Sequence, residues 1–502
     1  MTDTALQRLA RWASRVRLED VPQRVREHAI NQWLSTLAAV YSGYDSDLGP
    51  LIAAAFPSPD QEILRMACWS MALDYDDVML GGHTGHSSVL VPLALADGHT
   101  GAELLLAQIV ANELAARVNM VCAVGSTRGQ MATHLHLISA ATARAKLEEL
   151  DEELFAEALA FALSYPGQAL YPAFLGSDAK VLCAALPIRV GMEAVDAVRA
   201  GLRAAHDPLD DRRGFFARAA RVPVRDFLDG LGVRWHTETN SYKIYPVCGY
   251  LCAALDATLA LAREHDLDPD DVAAVDVWSS IFTVGMDEHS APHLEGSHSR
   301  ISTLTFSTPF TIASAILARE FTPAQLKRPW IEYPRVWQLA SRVRSRHDIA
   351  LTVQALTADI PIGAALRRIP RWKAALFALT LARTAHLRNP LAIARLVIDL
   401  TVAAGDRTPF DVRNSTKPMG ARVEIRLRGG RVLQRTVTIP RGFAGSRDDV
   451  RELMRAKLAQ PGIAMLAEEL PALSRAQVRQ LLDSVHHWFA ATPVSSWANT
   501  KI

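Results

Sequence analysis

Apolar residues recur at helical spacing from the start of the chain. Leu6, Leu9, Ala13 and Val16 follow one another at intervals of three and four, and Trp33, Leu37, Ala38 and Tyr41 form a second stripe that stops at Gly43. Further apolar segments lie around 105–120, 154–164, 189–203 and 251–264, divided by breakers such as Tyr165-Pro166-Gly167 and Asp207-Pro208. The texture changes near residue 268, where Val275, Asp276 and Val277 alternate with the two-residue period of a half-buried strand. A strand pair follows: Arg422 to Leu427 alternates polar and apolar, Gly429-Gly430 supplies a turn tolerant of positive φ, and Val432 to Ile439 returns. A helical segment, Thr305 to Leu317, lies between. The pattern predicts a mainly α protein with a large all-helical domain over 1–268 and a smaller α+β domain over 269–445. The helices of 446–502 are expected to return to the helical body. No internal repeat or low-complexity segment interrupts it.

Length and composition agree with that division. A chain of 502 residues, 49% of them hydrophobic, is long enough for more than one core. The 54 Lys and Arg nearly balance 53 Asp and Glu, so the net charge of +1 gives the whole molecule no electrostatic pull toward nucleic acid. The opening residues mix charges with apolar positions and lack the apolar stretch of a signal peptide. No run is read as the ~20 apolar residues of a membrane span. Cys68, Cys122, Cys183, Cys248 and Cys252 make neither a disulfide framework nor a C-x-x-C pair, which points to a reducing cytoplasm.

One stretch departs from the average. Between Asp359 and Asp399 there is no acidic residue, while Arg367, Arg368, Arg371, Lys373, Arg383, Arg388 and Arg395 alternate with Trp372, Leu376, Leu379 and Leu391. It reads as a basic helical insert at about 360–400. An extra hairpin covering the small domain or a dimer interface is the favoured account, and docking to an acidic partner or membrane surface is the other.

Four motifs carry the chemistry. The opening contains LEDVPQRVREHAINQWLSTLAAVYSG. Asp74-Tyr75-Asp76-Asp77 is followed by His83, His86 and an apolar run from Val89 to Ala94. Gly176-Ser177-Asp178-Ala179-Lys180 comes next, and then Ser241-Tyr242-Lys243-Ile244-Tyr245-Pro246-Val247-Cys248-Gly249 with Ala253 to Asp256 behind it. In this order they resemble the MmgE/PrpD family, which includes 2-methylcitrate dehydratase and cis-aconitate decarboxylase. The resemblance implies a helical body with a small α+β domain, a homodimer, no cofactor or metal, and a small carboxylated substrate.

The resemblance also implies residue roles. Asp74, His83, His86, Lys180, Lys243 and Tyr245 become catalytic candidates, with His86 favoured over His83 for its place before the apolar helix. Asp77, Gln130, His134 and Cys252 become substrate-lining candidates. Gln130 stands where the family usually carries a His, and Cys252 where a second His follows the signature cysteine. His134 or His136 is a possible replacement.

Such reactions remove a proton beside a carboxylate or carbonyl, which takes a base near neutral pKa and cations for the developing charge. A His supplies the base, the lysines hold carboxylates, and Tyr245 donates to a leaving group. The expected class is a lyase or isomerase, with dehydration, decarboxylation, epimerisation and cyclisation all open. The site is expected in a cleft between the helical body and the small domain. Two other classes remain: a binding or scaffold protein on the same fold, and a metal-dependent enzyme using His83, His86, His134, His136 and the acidic loop.

Overall fold

The apolar stripes become helices with defined ends. The opening helix, Ala5–Arg15, starts at a capping box in which Thr4 Oγ1 accepts from Gln7 N at 3.2 Å and Gln7 Oε1 accepts from Thr4 N at 2.9 Å. The second, Gln23–Tyr44, runs through Gly43 instead of stopping there. Gly43 lies against the backbone of Trp69, where a Cβ would stand 1.9 Å from the carbonyl oxygen, so it serves close packing.

The computed structural model describes residues 3–124, 133–358, 361–384, 389–405 and 412–491. They are mainly α. Contacts divide the chain into a first unit of Met1–Leu170, Ala179–Tyr242 and Asp449–Ile502, and a second of Tyr171–Asp178 and Lys243–Asp448.

In the first unit, Gln23–Tyr44 packs on Glu62–Ala72 and on the returning helix Val450–Leu458, while His134–Leu147 packs between Gly101–Val121 and Leu182–Arg199. Gly101–Val121 corrects one expectation: its 21 residues are long and apolar enough to cross a membrane by length and composition. Its most apolar stretch is 89% buried inside the protein, as befits a core helix that is hydrophobic all round. Polar groups in this core form a network around Gln32. Gln32 Nε2 donates to Asp77 Oδ2 at 2.7 Å and Thr84 Oγ1 at 3.0 Å, and Gln32 Oε1 accepts from Gln108 and Asn112. Strands β1 (Asp77–Val78) and β2 (Ser241–Tyr242) pair antiparallel, Asp77 opposite Tyr242.

The second unit holds a four-stranded sheet in the order β4-β3-β5-β6, with β3 Val272–Ser279, β4 Val343–His347, β5 Ala421–Leu427 and β6 Val432–Val437. The expected β5–β6 hairpin is present, turning at Gly430 with φ +82°. β4 was not anticipated. It lies parallel to β3, and its sequence Val-Arg-Ser-Arg-His holds a single aliphatic residue; Arg346 Nε instead reaches Asp276 Oδ1 of β3 at 3.0 Å.

Ala253, Ala257 and Leu261 of helix Cys252–Glu264 share one core with Val275, Val277, Val423 and Ile425 of the sheet. That shared core is why the division falls at 242/243, ahead of the change of texture near 268. The basic stretch forms helices Pro361–Arg368, Arg371–Thr384 and Pro390–Ala403, the last two packed on each other. They bury Ala374, Ala378, Leu396 and Leu400 and expose Trp372, Leu376, Leu391 and Val402. Arg388 lies outside the described residues.

Candidate active site

The acidic loop follows directly on helix Glu62–Ala72. Asp74 takes a left-handed conformation at φ +54°, which turns the chain out of the helix, and Asp77 starts β1. A tight turn then closes through Met79 and Gly82, at φ +111°, and delivers His83 and the short helix Gly85–Ser88 that carries His86. Lys457, from the returning helix Val450–Leu458, secures the loop: its Nζ donates to Tyr75 O at 2.5 Å and Ser35 Oγ at 2.9 Å, and lies 4.2 Å from the Tyr75 ring centre.

Asp76 is the hub of the loop. Its Oδ2 lies 2.5 Å from His83 Nδ1 and 3.2 Å from His86 Nε2. The side chain of His83 is 33% exposed, while those of Asp76 and His86 are 5% and 1% exposed. His86 Nδ1 meets Ser70 Oγ at 2.8 Å. A third imidazole, His136, stands 5.7 Å from the His86 ring centre, its Nδ1 2.9 Å from Ser87 Oγ. Burial, and after it the neighbouring His86 and His83, holds the His136 pKa well below the ordinary imidazole value, so this ring is neutral.

The other candidates of this unit fall around the hub or away from it. Lys180, 1% exposed, places Nζ 2.8 Å from Asp74 Oδ1. Asp77 is fully buried with its oxygens toward Gln32 and Thr36, and burial, then the charge of Asp76, raises its pKa. Those contacts commit Asp77 to the interior network. The His134 ring packs edge-on against Phe215 at 4.7 Å. Gln130 lies outside the described residues.

In the second unit, Tyr245 donates its hydroxyl to Asp256 Oδ1 at 2.8 Å, and Asp256 Oδ2 accepts from Arg441 N at 2.8 Å. Burial first, and then the Asp256 charge, pushes the Tyr245 phenol far up; burial also raises Asp256. Lys243 and Cys252 are fully buried. Cys248 N donates to Thr305 O at 2.9 Å.

Sequence reasoning passed over Asp76, although it sat inside the quoted acidic motif, because Asp74 and Asp77 share a face only if that segment is helical. The segment is a loop entering a strand, and there Asp76 is the carboxylate turned to the histidines. Ser70, Ser87 and Lys457 carry no sequence signal. Asp256 was visible only as the end of the signature helix.

The N-terminal part of the chain, residues 56–224, matches the MmgE/PrpD N-terminal domain, and residues 245–397 match the MmgE/PrpD C-terminal domain. The chain belongs to the MmgE/PrpD family. Members of this family are usually lyases, dehydratases among them. No curated protein sequence matches the chain. The acidic loop and Lys180 fall within the first match, Tyr245 opens the second, and the opening helices precede both. The second match runs from residue 245 as far as residue 397, so its bounds take in most of the basic stretch.

Proposed function

We propose that this MmgE/PrpD protein is a lyase of the dehydratase kind. In this reading it removes a proton from the carbon beside a carboxylate or carbonyl of an acidic small molecule, with His83 as the base. The observation that carries the proposal is the Asp76–His83 pair, 2.5 Å apart, with the carboxylate buried and the imidazole partly exposed. Asp76 takes the Nδ1 hydrogen of His83, which fixes the tautomer and leaves the Nε2 lone pair to accept a proton; it also favours the imidazolium that results. His86, the ring favoured from sequence, is buried and has both nitrogens engaged, by Ser70 and Asp76. The base role therefore moves to His83, and His86 becomes a buried neighbour of the Asp76 carboxylate.

Lys180 supplies positive charge at the Asp74 end of the loop. A substrate carboxylate that takes over its ammonium from Asp74 would be held by a charge-assisted hydrogen bond. Decarboxylation, epimerisation and cyclisation begin with the same proton transfer, so product identity separates them from dehydration. The five described cysteines are free thiols, which fits a reducing compartment such as the cytoplasm.

The test is deuterium exchange in heavy water against a panel of hydroxy-di- and tricarboxylates, read by mass spectrometry. Exchange at the carbon beside a carboxylate is expected for the wild type. In Asp76→Asn it should fall by about 10²–10⁴-fold, because the amide no longer fixes the ring as an acceptor toward substrate. An unimpaired Asp76→Asn enzyme would remove the proposal.

A further inference from the structure

The Ser70 hydroxyl donates to Ala67 O at 2.8 Å, one turn back in its own helix. A hydroxyl has a single hydrogen, so toward His86 Nδ1, also 2.8 Å away, its oxygen is the acceptor and Nδ1 carries the hydrogen. In its neutral form that ring turns the Nε2 lone pair on Asp76 Oδ2 at 3.2 Å. Two electron-rich atoms at that separation are held together by a positive centre between them, a proton or a metal cation. Asp76 Oδ2, His83 Nδ1 and His86 Nε2 all lie within 4.8 Å of one another, so three donor atoms converge on this point.

We propose that Asp76, His83 and His86 form a binding site for a divalent cation of the zinc class, an assignment that reverses the expectation from sequence and goes beyond the proton-transfer reading. Two imidazoles and one carboxylate are the ligand set of zinc and its transition-metal neighbours, whereas magnesium and calcium take oxygen. Bonds of about 2.0–2.2 Å in a tetrahedron set ligand atoms about 3.3–3.6 Å apart. The Asp76–His86 separation of 3.2 Å is already close to that. His83 has to withdraw by about an ångström to reach it, and it can, since it follows the Met79–Gly82 turn and is the exposed member. Ser70 fixes the far nitrogen of His86, as an outer partner of a metal-bound imidazole does.

Occupancy has a consequence for the proposed base. With the metal on Nδ1, the hydrogen of neutral His83 sits on Nε2, and the lone pair that would take the substrate proton is gone. Metal binding and proton abstraction then exclude each other. Only this inhibitory consequence rests on the functional reading; the binding claim stands apart from it.

The experiment is a titration of the full-length chain, stripped with a chelator and free of substrate, with Co²⁺. The visible absorption of tetrahedral cobalt is expected to saturate at one equivalent, and one equivalent of Zn²⁺ should displace it. His83→Gln and His86→Gln should each raise Kd by roughly 100-fold or more, and Ser70→Ala by about 10-fold. His134→Gln, whose ring packs on Phe215, should leave Kd within about twofold. His83 is partly exposed, so His83→Gln remains a folded control if the buried His86 variant is not. Absence of saturable binding, or equal binding by wild type and His83→Gln, overturns the site. Saturable binding with deuterium exchange undiminished by Zn²⁺ would confirm the site and remove His83 as the base.

Discussion

The two units each hold a cluster of carboxylate and proton-bearing groups, and the clusters differ in what their hydrogen bonds leave over. Tyr245 donates to Asp256, and the other Asp256 oxygen accepts from Arg441 N, so every strong partner is internal. Burial raises both groups and keeps the proton on the phenol. In the first unit Asp76 oxygen meets two imidazoles, and one of these, His83, keeps a third of its side chain exposed. A closed set of this kind stabilises a fold. An open set, which ends in an accessible lone pair, can act on a molecule from outside. The family motifs mark both clusters without distinguishing them; hydrogen bonding and exposure do.

The largest expected effect tests the open cluster. His83→Ala should lower turnover or deuterium exchange by about 10²–10⁴-fold, the usual span for a lost general base. Because the side chain is partly exposed, the unfolding midpoint should stay close to the wild type, within roughly 0.5 kcal/mol. Kinetics and urea unfolding on the same preparation decide the matter. Wild-type turnover with a collapsed midpoint would make the open cluster structural and erase the contrast.

Asp256→Ala should give the reverse pattern. It strands the buried Tyr245 hydroxyl without its acceptor and removes the part-buried acceptor of Arg441 N–H, at a cost of about 1–3 kcal/mol. Urea denaturation is the measurement. Unaltered stability alongside a large loss of turnover would show the second cluster to be chemical after all.

How far the sequence could go follows from the kind of signal each feature leaves. Helices with a stripe, such as Leu6, Leu9 and Ala13, and the Gly-turned β5–β6 hairpin were legible because burial on one face imposes a period. β4 was not, since an edge strand of Val-Arg-Ser-Arg-His satisfies its backbone by pairing with β3 and needs little apolar alternation. The boundary at 242/243 was displaced for a similar reason: Cys252–Glu264 reads as one more helix, and only packing reveals that its core is the sheet. In the site, residue types and motif positions were legible, and hydrogen-bond direction was not. Asp74, Asp76 and Asp77 are equivalent in the motif, yet the left-handed turn at Asp74 and the start of β1 at Asp77 send one to Lys180, one to two histidines and one to Gln32.

His136 offers the smallest and most specific test, because it is a closed member placed against the open cluster. Its pKa is held below the ordinary imidazole value by burial, with His86, His83 and His134 adding to the effect and Asp76 opposing it. The folded state therefore binds fewer protons than the unfolded chain once pH drops below about 6.5, the unfolded value. Nothing is lost above that pH; below it stability falls, by up to about 1.4 kcal/mol per pH unit for each such group, until the folded pKa is reached. His236, also fully buried with a lowered pKa, contributes in the same direction. The two rings pull wild-type stability down from about pH 6.5 to about pH 5.5, against Asp287, whose pKa, raised by burial to about 6, returns stability as pH falls through it. His136→Gln keeps a polar group beside Ser87 and removes one titrating ring, so its decline over that interval should be smaller by about 1 kcal/mol. Denaturant unfolding of both proteins across that interval is the measurement. An identical decline would mean that His136 takes up its proton in the folded protein. The open cluster would then extend one imidazole deeper, along the row His83, His86, His136.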